Sequence, residues 1–290
     1  MAMPALSATD PPRPLRVVTF NLFHGGPSSG TFGDDESLEE RLAMVTEELR
    51  ALAPDIVGLQ EASVGWGRGN VAERLAVALG MEYVYGSATS RVFSPRLFGQ
   101  LLVRAMNFDE GPAVLSRFPI VDSEVYTLPR CAKRFDPRVL LRADVRTPWG
   151  EVAVFSTHVS RDDCQVARVA ELVREHTRGR PALLMGDFNA GESMQAIRAL
   201  NGGGGFVDAF RASNPDAVGA TVWQRPGAPS ATVYRRVDYI FVAGASADVA
   251  CRSRVVLDQP RRFPDGRTLW PSDHYGVLAE LRVFGIKCAP

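Results

Sequence analysis

The chain has 290 residues, 46% apolar and 23% charged, the profile of a globular protein able to bury a core, which excludes a disordered or collagen-like chain. Lys and Arg number 33, as do Asp and Glu, so nucleic-acid binding through bulk positive charge is excluded, although a local basic groove is not. No apolar run is long enough to span a bilayer, and Met1 to Pro14 has no charged-then-apolar signal pattern. Residues 1–14 read as a loose tail, residues 15–290 as one domain, and the expected setting is cytoplasmic, as a monomer. The cysteines Cys131, Cys164, Cys251 and Cys288 are scattered without a C-x-x-C, which points to neither a zinc site nor a disulfide framework.

Leu15 to Phe20 is an apolar, β-branched run ending at Asn21, the first expected strand. A Gly-rich loop, Gly25 to Gly33, follows. Ser37 with Glu40 forms a capping box, and Leu38, Leu42, Val45, Leu49 and Leu52 mark one face of a helix that Pro54 stops. Asp55 to Leu59 reads as a buried strand delivering Gln60 and Glu61. A helix around Val71 to Leu79 leads to a strand at Met81 to Tyr85. Between Ser94 and Phe108, Leu97, Phe98, Leu101, Leu102, Ala105 and Met106 share a helical face, with Arg96, Gln100, Arg104 and Asn107 off it. Such a stripe predicts a helix packed on a sheet edge; the alternative is a lid or membrane-contacting element.

Pro112 to Arg117, Ile120 to Thr127, Val139 to Val145 and Val152 to Val159 read as successive strands broken by Pro119, Pro148 and Gly150. Asp162 or Asp163 caps a helix with Val166, Val169, Ala170 and Val173 on its apolar face. Ala182 to Gly186 is a strand running into Asp187-Phe188-Asn189. The Gly202 to Gly205 run is a loop, because no Lys-Ser/Thr follows it. Val237 to Val242, Val249 to Leu257 and Val277 to Val283 complete the strands. Turn-bounded strands with interspersed helices predict a mixed α/β sheet system with helices outside.

Five strand tips carry a residue able to bind metal or phosphate: Asn21, Glu61, His158, the pair Asp187 and Asn189, and Asp273-His274. Residues two apart on an extended segment point the same way, so Asp187 and Asn189 face one site while Phe188 turns into the protein. Alone, Gly-Asp-Phe-Asn reads more readily as a strand closing in an Asx-type turn. Asn, Glu and Asp oxygens are hard ligands suited to Mg²⁺ or Mn²⁺, whereas the four histidines lack zinc spacing. A metal polarising a phosphoryl oxygen, with a histidine beside a carboxylate, is a phosphoester-hydrolysing set.

The order Asn21, Gln60-Glu61, Gly111 to Ile120, His158, Gly-Asp-Phe-Asn, Arg236-Val-Asp-Tyr-Ile-Phe and Ser272-Asp-His resembles the endonuclease/exonuclease/phosphatase superfamily over roughly Leu15 to Phe284. The resemblance implies a four-layer α/β sandwich, two packed mixed β-sheets flanked by helices, with the site at one end. It implies Glu61 as principal metal ligand, with Asn21 and Asp273 nearby. Asp187 would orient or activate the attacking water, Asn189 hold a phosphate oxygen, and His158 contact the scissile phosphate. His274 would act as general base or transition-state stabiliser, oriented by Asp238. Read as residues alone, Asp238 also fits a buried structural carboxylate, His158 a core histidine, and Arg138 either a phosphate fork or a surface salt bridge.

His24 and His176 read as surface residues, and Ser116-Arg117 and Trp223 as scaffold around the site. Trp-Cys-Asp-Arg of inositol phosphatases is absent, as is the Trp-Asn-x-x-Gly-x-Arg of abasic-site endonucleases; Ser-Asp-His-Tyr is similar to sphingomyelinase-like members. Arg130, Lys133, Arg134, Arg138, Arg142 and Arg146 form either a track for an anionic backbone or a solvated strand face interspersed with Asp136 and Asp144. The expected function is metal-dependent hydrolysis of a small-molecule or lipid-headgroup phosphodiester. The alternatives are a DNA or RNA nuclease and a catalytically inactive phosphate-binding module.

Overall fold

A computed structural model of the chain describes residues 13–23, 37–91, 96–131, 137–161, 163–177, 180–202, 205–245 and 249–282. The Gly-rich loop expected at Gly25 to Gly33, His24, Lys133, Arg134, Asp136, Asp162 and most of the expected tail lie outside the described residues.

The first half of the chain builds most of one sheet. Its strands are β1 (Leu15–Asn21), β2 (Ile56–Gly65), β3 (Gly69–Asn70), β4 (Glu82–Tyr85) and β5 (Asp109–Ser116), interleaved with helices α1 (Leu38–Leu52), α2 (Val71–Leu79) and α3 (Arg96–Met106). The second half supplies β6 (Ile120–Thr127), β7 (Val139–Thr147), β8 (Gly150–His158), α4 (Asp163–Thr177), β9 (Ala182–Asp187), α5 (Gln195–Asn201), β10 (Phe206–Asp208), α6 (Ala209–Ser213) and β11 (Asp238–Ala243). The chain then returns to the first sheet with β12 (Ala250–Val256), a small hairpin of β13 (Arg261–Arg262) and β14 (Thr268–Leu269), and β15 (Gly276–Leu281). Strand order is β12-β15-β1-β2-β5-β4 in the first sheet and β10-β11-β9-β8-β7-β6 in the second. β1 runs parallel to β2 and β8 parallel to β9; the other pairings are antiparallel.

Period-two alternation sorts the apolar residues into three cores. Val17, Ile56, Val114 and Val277 from the first sheet meet Leu141, Val154, Leu183, Met185 and Ile240 from the second. The opposite faces take the helices: Leu42, Val45, Leu49, Leu75 and Leu79 pack on Val18, Phe20, Val57 and Leu59. Val166, Val169, Val173, Ile197 and Leu200 pack on Phe155, Leu184, Tyr239 and Phe241. Helix, sheet, sheet and helix are thus stacked as four layers, the expected architecture.

Several local expectations need correction. Ser37 makes no capping bond to α1, because its left-handed backbone (φ 59°) does not present the hydroxyl to the first-turn amides. Ser116 and Arg117 sit at the end of the first sheet away from Glu61: Ser116 pairs with Ile56, the first residue of β2, and Arg117 salt-bridges the buried Asp55. Arg13 pairs with the same carboxylate. Arg142 does not present a free cation to an anionic track, since its guanidinium binds Asp122, Glu124 and Asp144. His176 is half-buried against Phe155, with its Nε2 2.8 Å from Arg142 Nη1. Trp223, 57% exposed, does lie beside the site as expected, between Val222, which bridges to His274, and Gln224, whose amide donates to the Asp273 carbonyl.

The cysteines are not free. Cys131, just after β6, is disulfide-bonded to Cys164 in the first turn of α4, with Cα atoms 6.6 Å apart, and Cys251 is also disulfide-bonded. A sequence separation of 33 residues gives no local signal, because only the packing of α4 on the second sheet brings the two segments together. Gln165 strengthens the same junction, its Nε2 donating to the Pro129 carbonyl.

Candidate active site

The register of the second sheet puts three of the expected residues in one row. His158, last in β8, lies opposite Asp187, last in β9, and Asp187 lies opposite Asp238, first in β11. On the first sheet Asn21 pairs with Gln60, so Glu61 follows at the same end. Asp273 and His274 immediately precede β15, which runs antiparallel to β1 and therefore starts where β1 finishes. The sheets are joined beneath this edge by Gln60, whose Nε2 donates to Thr19 Oγ1 and Ser156 Oγ, while Ser156 donates to the Leu59 carbonyl.

Local backbone supports the arrangement. A Cβ at Gly186 would lie 2.1 Å from the Thr157 carbonyl oxygen, so glycine lets β9 approach β8 just before Asp187. Phe188 is fully buried, its ring edge-on to Tyr239 and Phe241, while Asp187 Oδ1 accepts from the Asn189 amide at 2.7 Å. The chain thus combines the Asx turn with the site. Glu61 and Asn189 both have left-handed backbones, φ 52° and 50°. For glutamate that is a conformation held by its surroundings, here a register shift between Leu59 and Ala62 that turns Glu61 out of the regular ladder.

Asn21 Nδ2 donates to Glu61 Oε1 at 3.2 Å and to Asp187 Oδ2 at 3.1 Å. His158 lies with Nδ1 3.6 Å from Glu61 and Nε2 3.4 Å from Asp187. Asn189 Nδ2 reaches both His158 Nε2 at 2.9 Å and the Val159 carbonyl at 3.0 Å, which commits both amide hydrogens and places the His158 proton on Nδ1, facing Glu61. On the other side of Asp187, His274 Nε2 is 3.6 Å from Oδ2, and its Nδ1 is 2.9 Å from Asp238 Oδ2. Asp273 Oδ1 is 4.0 Å from His274 Nε2. Ser272 locks the loop: its hydroxyl donates to the Asn21 carbonyl at 2.7 Å and accepts from the His274 amide.

Four carboxylates therefore surround two histidines in a buried setting. Burial pushes Asp187 up to about 7, opposed by His274 and reinforced by Asp238 and Glu61. Burial also raises Asp273 to about 6. His274 is held well above the ordinary histidine value: burial works against its charge, but Asp238 and Asp187 outweigh it. Asp238 Oδ1 is buried without a hydrogen-bond partner. Such an excess of buried negative charge suits a cation, and the oxygen-rich donor set of Glu61, Asp273 and the Asn21 amide suits a hard one. Asp187, Asp238 and His274 also bring ligand atoms within 4.8 Å of one another. In that trio, however, His274 Nδ1 is already engaged with Asp238.

The family model described as the endonuclease/exonuclease/phosphatase family matches residues 18–274. The chain belongs to this family. Family members are phosphoester hydrolases that generally depend on a divalent metal. A sequence comparison with curated proteins returns no match. Among solved structures, the Bacteroides thetaiotaomicron VPI-5482 mannosyl-6-phosphatase aligns with a TM-score of 0.66 at 22% identity, covering 92% of this chain and 99% of that one. A family protein from Leptotrichia buccalis C-1013-b gives 0.65 at 17% identity, covering 92% and 99%. Truncated Caenorhabditis elegans TDP2 gives 0.61 at 18% identity, covering 91% and 96%. At these identities the likeness establishes the shared fold.

The endonuclease/exonuclease/phosphatase fold thus gathers Asn21, Glu61, His158, Asp187, Asn189, Asp238, Asp273 and His274 at one sheet end. Arg138 stands at the same end, two residues before the Leu140–Thr157 pair, and is half-buried. Sequence reasoning missed the supports. Ser272 stood inside the recognised Ser-Asp-His, but only the return of β15 beside β1 shows that it bonds Asn21. Ser156 carries no sequence signal beyond lying two residues before His158 on the same strand face.

Proposed function

We propose that the chain is a divalent-metal-dependent phosphodiesterase acting on a small-molecule or lipid-headgroup phosphodiester. The observation that carries this reading is the buried row Asp238–His274–Asp187, a histidine held between two carboxylates beside a hard-oxygen donor set. Glu61, with Asp273 and Asn21, would hold Mg²⁺ or Mn²⁺, whose chemistry is to polarise a phosphoryl oxygen. Asp187, raised toward neutrality, accepts a proton from the attacking water. His274, kept protonated by Asp238, offers its Nε2–H to the charge developing on the phosphoryl group. His158 faces the same space, and Asn189 fixes its ring through the 2.9 Å contact. For Asn189 to hold a phosphate oxygen itself, one of its two bonds must be released. Arg138 is assigned to the phosphate rim.

Zero net charge and the neutralised Arg142 favour a small or lipid substrate over a nucleic acid. A sugar phosphomonoester is the second reading, favoured by the mannosyl-6-phosphatase neighbour. The disulfide suits an oxidising compartment better than the cytoplasm expected from the sequence. No described helix is long and apolar enough to cross a membrane.

Turnover of bis-p-nitrophenyl phosphate against p-nitrophenyl phosphate, with Mg²⁺ or with chelator, tests the proposal. The diester should be the better substrate, and chelator should abolish turnover that Mg²⁺ or Mn²⁺ restores. Glu61→Gln should raise the metal concentration needed. Full activity in chelator sinks the metal role, and preference for the monoester sinks the diester reading.

A further inference from the structure

Helix α3 does not bury the face expected of it. Leu97, Phe98 and Leu101 are 62%, 58% and 50% exposed, and Ala105 is exposed beside them. These four positions share one helical arc, with Arg104 at its edge. The face turned to the protein is instead Gly99, with half-buried Leu102, Val103 and Met106. Glycine explains the choice: a Cβ at Gly99 would lie 1.9 Å from the Ser90 carbonyl oxygen, so only this face lets the helix settle on the 3-10 turn Thr89–Arg91. The apolar arc is thereby left outward.

A second apolar group adjoins it. The turn after β2 carries Trp66, 90% exposed, and its amide donates to Asn107 Oδ1, one residue past the end of α3, at 2.7 Å. The arc itself carries a basic residue at its edge, and the acidic residues beside it on β5, Asp109 and Glu110, are buried and half-buried. α3 contains Arg96 and Arg104 and no acidic residue. Arg91 ends the turn beneath it, and its carbonyl accepts from Arg130. Asp109, which follows on β5, is buried and bonded to Ser87. An exposed apolar arc with the exposed Arg104 at its edge is complementary to an anionic bilayer surface, where apolar side chains enter the acyl boundary and a guanidinium group meets phosphates. The location agrees: β2 runs from Glu61 to Gly65 immediately before Trp66, so the patch lies beyond the site end of the first sheet.

We propose that α3 and Trp66 form a docking surface for an anionic lipid bilayer that places the catalytic edge at the headgroup layer. This rests on the phosphodiesterase reading for its purpose, but not for its test. Co-sedimentation is measured with vesicles of phosphatidylserine and phosphatidylcholine, and with phosphatidylcholine alone. The wild type should bind the anionic vesicles, lose binding as salt rises, and shift its tryptophan emission to the blue. Phe98→Asp with Leu101→Asp should weaken binding at least about tenfold while melting temperature and bis-p-nitrophenyl phosphate turnover stay at wild-type values. Should that pair fail to fold, Trp66→Ser with Leu101→Ser gives the same reading. No wild-type binding to anionic vesicles overturns the proposal, as does undiminished binding by the folded variants. A wild-type dimer in sedimentation velocity that the same variants dissociate would assign the face to a second copy and overturn it too. Vesicle binding without bis-p-nitrophenyl phosphate turnover would sink the proposed activity alone.

Discussion

Two buried aspartates stand at opposite ends of the paired sheets, and their surroundings differ in kind. Asp55, fully buried where β2 begins, has Arg13 at 2.6 Å, Arg117 at 3.3 Å and the Arg16 amide at 2.9 Å. Asp187, equally buried where β9 ends, has no arginine beside it among the described residues; its neighbours there are two histidines, an asparagine and further carboxylates. The same residue type at the same burial is compensated at one end and left short of positive charge at the other. Uncompensated burial is unfavourable for folding, and it is also what holds a carboxyl near neutrality, where it can exchange a proton with water. The Asp55 end fastens the sheet; the Asp187 end is the one to which the proposed activity assigns the chemistry.

The largest effect is expected at Asp55. Asp55→Ala leaves Arg117 facing a buried void and removes the anchor of Arg13, so unfolding stability should fall by about 3–5 kcal/mol, nearer the lower figure because Arg13 can return to solvent. Denaturant titration measures this, and kcat of the remaining folded protein should be unchanged. A large loss of kcat at undiminished stability would erase the distinction between the two ends. At the other end the signs exchange. Asp187→Ala and His274→Ala should each lower kcat at least about a hundredfold. Stability should hold or rise in Asp187→Ala, where an undercompensated charge has been removed, and fall in His274→Ala, which strips Asp238 and Asp187 of their cation. Wild-type kcat in both folded variants would place the site elsewhere.

Asp238→Asn sharpens the contrast within the site. In the proposed activity Asp238 acts through its contact with His274 Nδ1, so the amide should misorient or deprotonate the ring rather than remove it, and kcat should fall about tenfold, less than for His274→Ala. A positioning role also moves the pH profile: the limb assigned to His274 should shift toward the ordinary histidine range. An unchanged profile with reduced kcat would return Asp238 to a purely structural role.

Much of this was legible because periodicity and strand-tip chemistry are local. Leu38, Leu42, Val45, Leu49 and Leu52 are buried as their spacing requires, and Asp187 and Asn189 flank a buried Phe188. What failed depended on non-local contacts. The α3 stripe marked a helix correctly but not its orientation, because that was set by Gly99 against Ser90, a contact no hydrophobic pattern contains. For Arg142 the sequence leaves an anionic track and an acid-paired strand face equally open, and only β6, which brings Asp122 and Glu124 across from it, decides for the second. Cys131 and Cys164 looked unrelated until α4 docked. The short elements α5, β10 and α6 escaped because segments of seven residues or fewer carry too little periodic signal.

The smallest effect concerns pH. Asp187 and Asp273 are raised to about 7 and about 6, and His274 is raised above its ordinary value. Each group therefore binds its proton more tightly folded than unfolded. Where the unfolded chain has released protons that the native state keeps, raising the pH favours unfolding. For the aspartates that window opens near their ordinary value of 3.8 and closes near 7 and 6; for His274 it opens near 6.5 and extends upward. In chelator, the melting temperature should thus fall by a few degrees, on the order of 5 °C, between pH 5 and pH 8. Asp187→Asn removes one of the raised groups, so its melting temperature should exceed wild type at pH 8 and decline less steeply. Added Mg²⁺ takes over the compensation that protons provide, so its stabilising effect should grow with pH across the same range. Differential scanning calorimetry at four pH values, with and without Mg²⁺, measures all three. Parallel wild-type and Asp187→Asn curves would mean that Asp187 is compensated after all, and the difference between the two ends of the sheet would then lie in geometry rather than in charge.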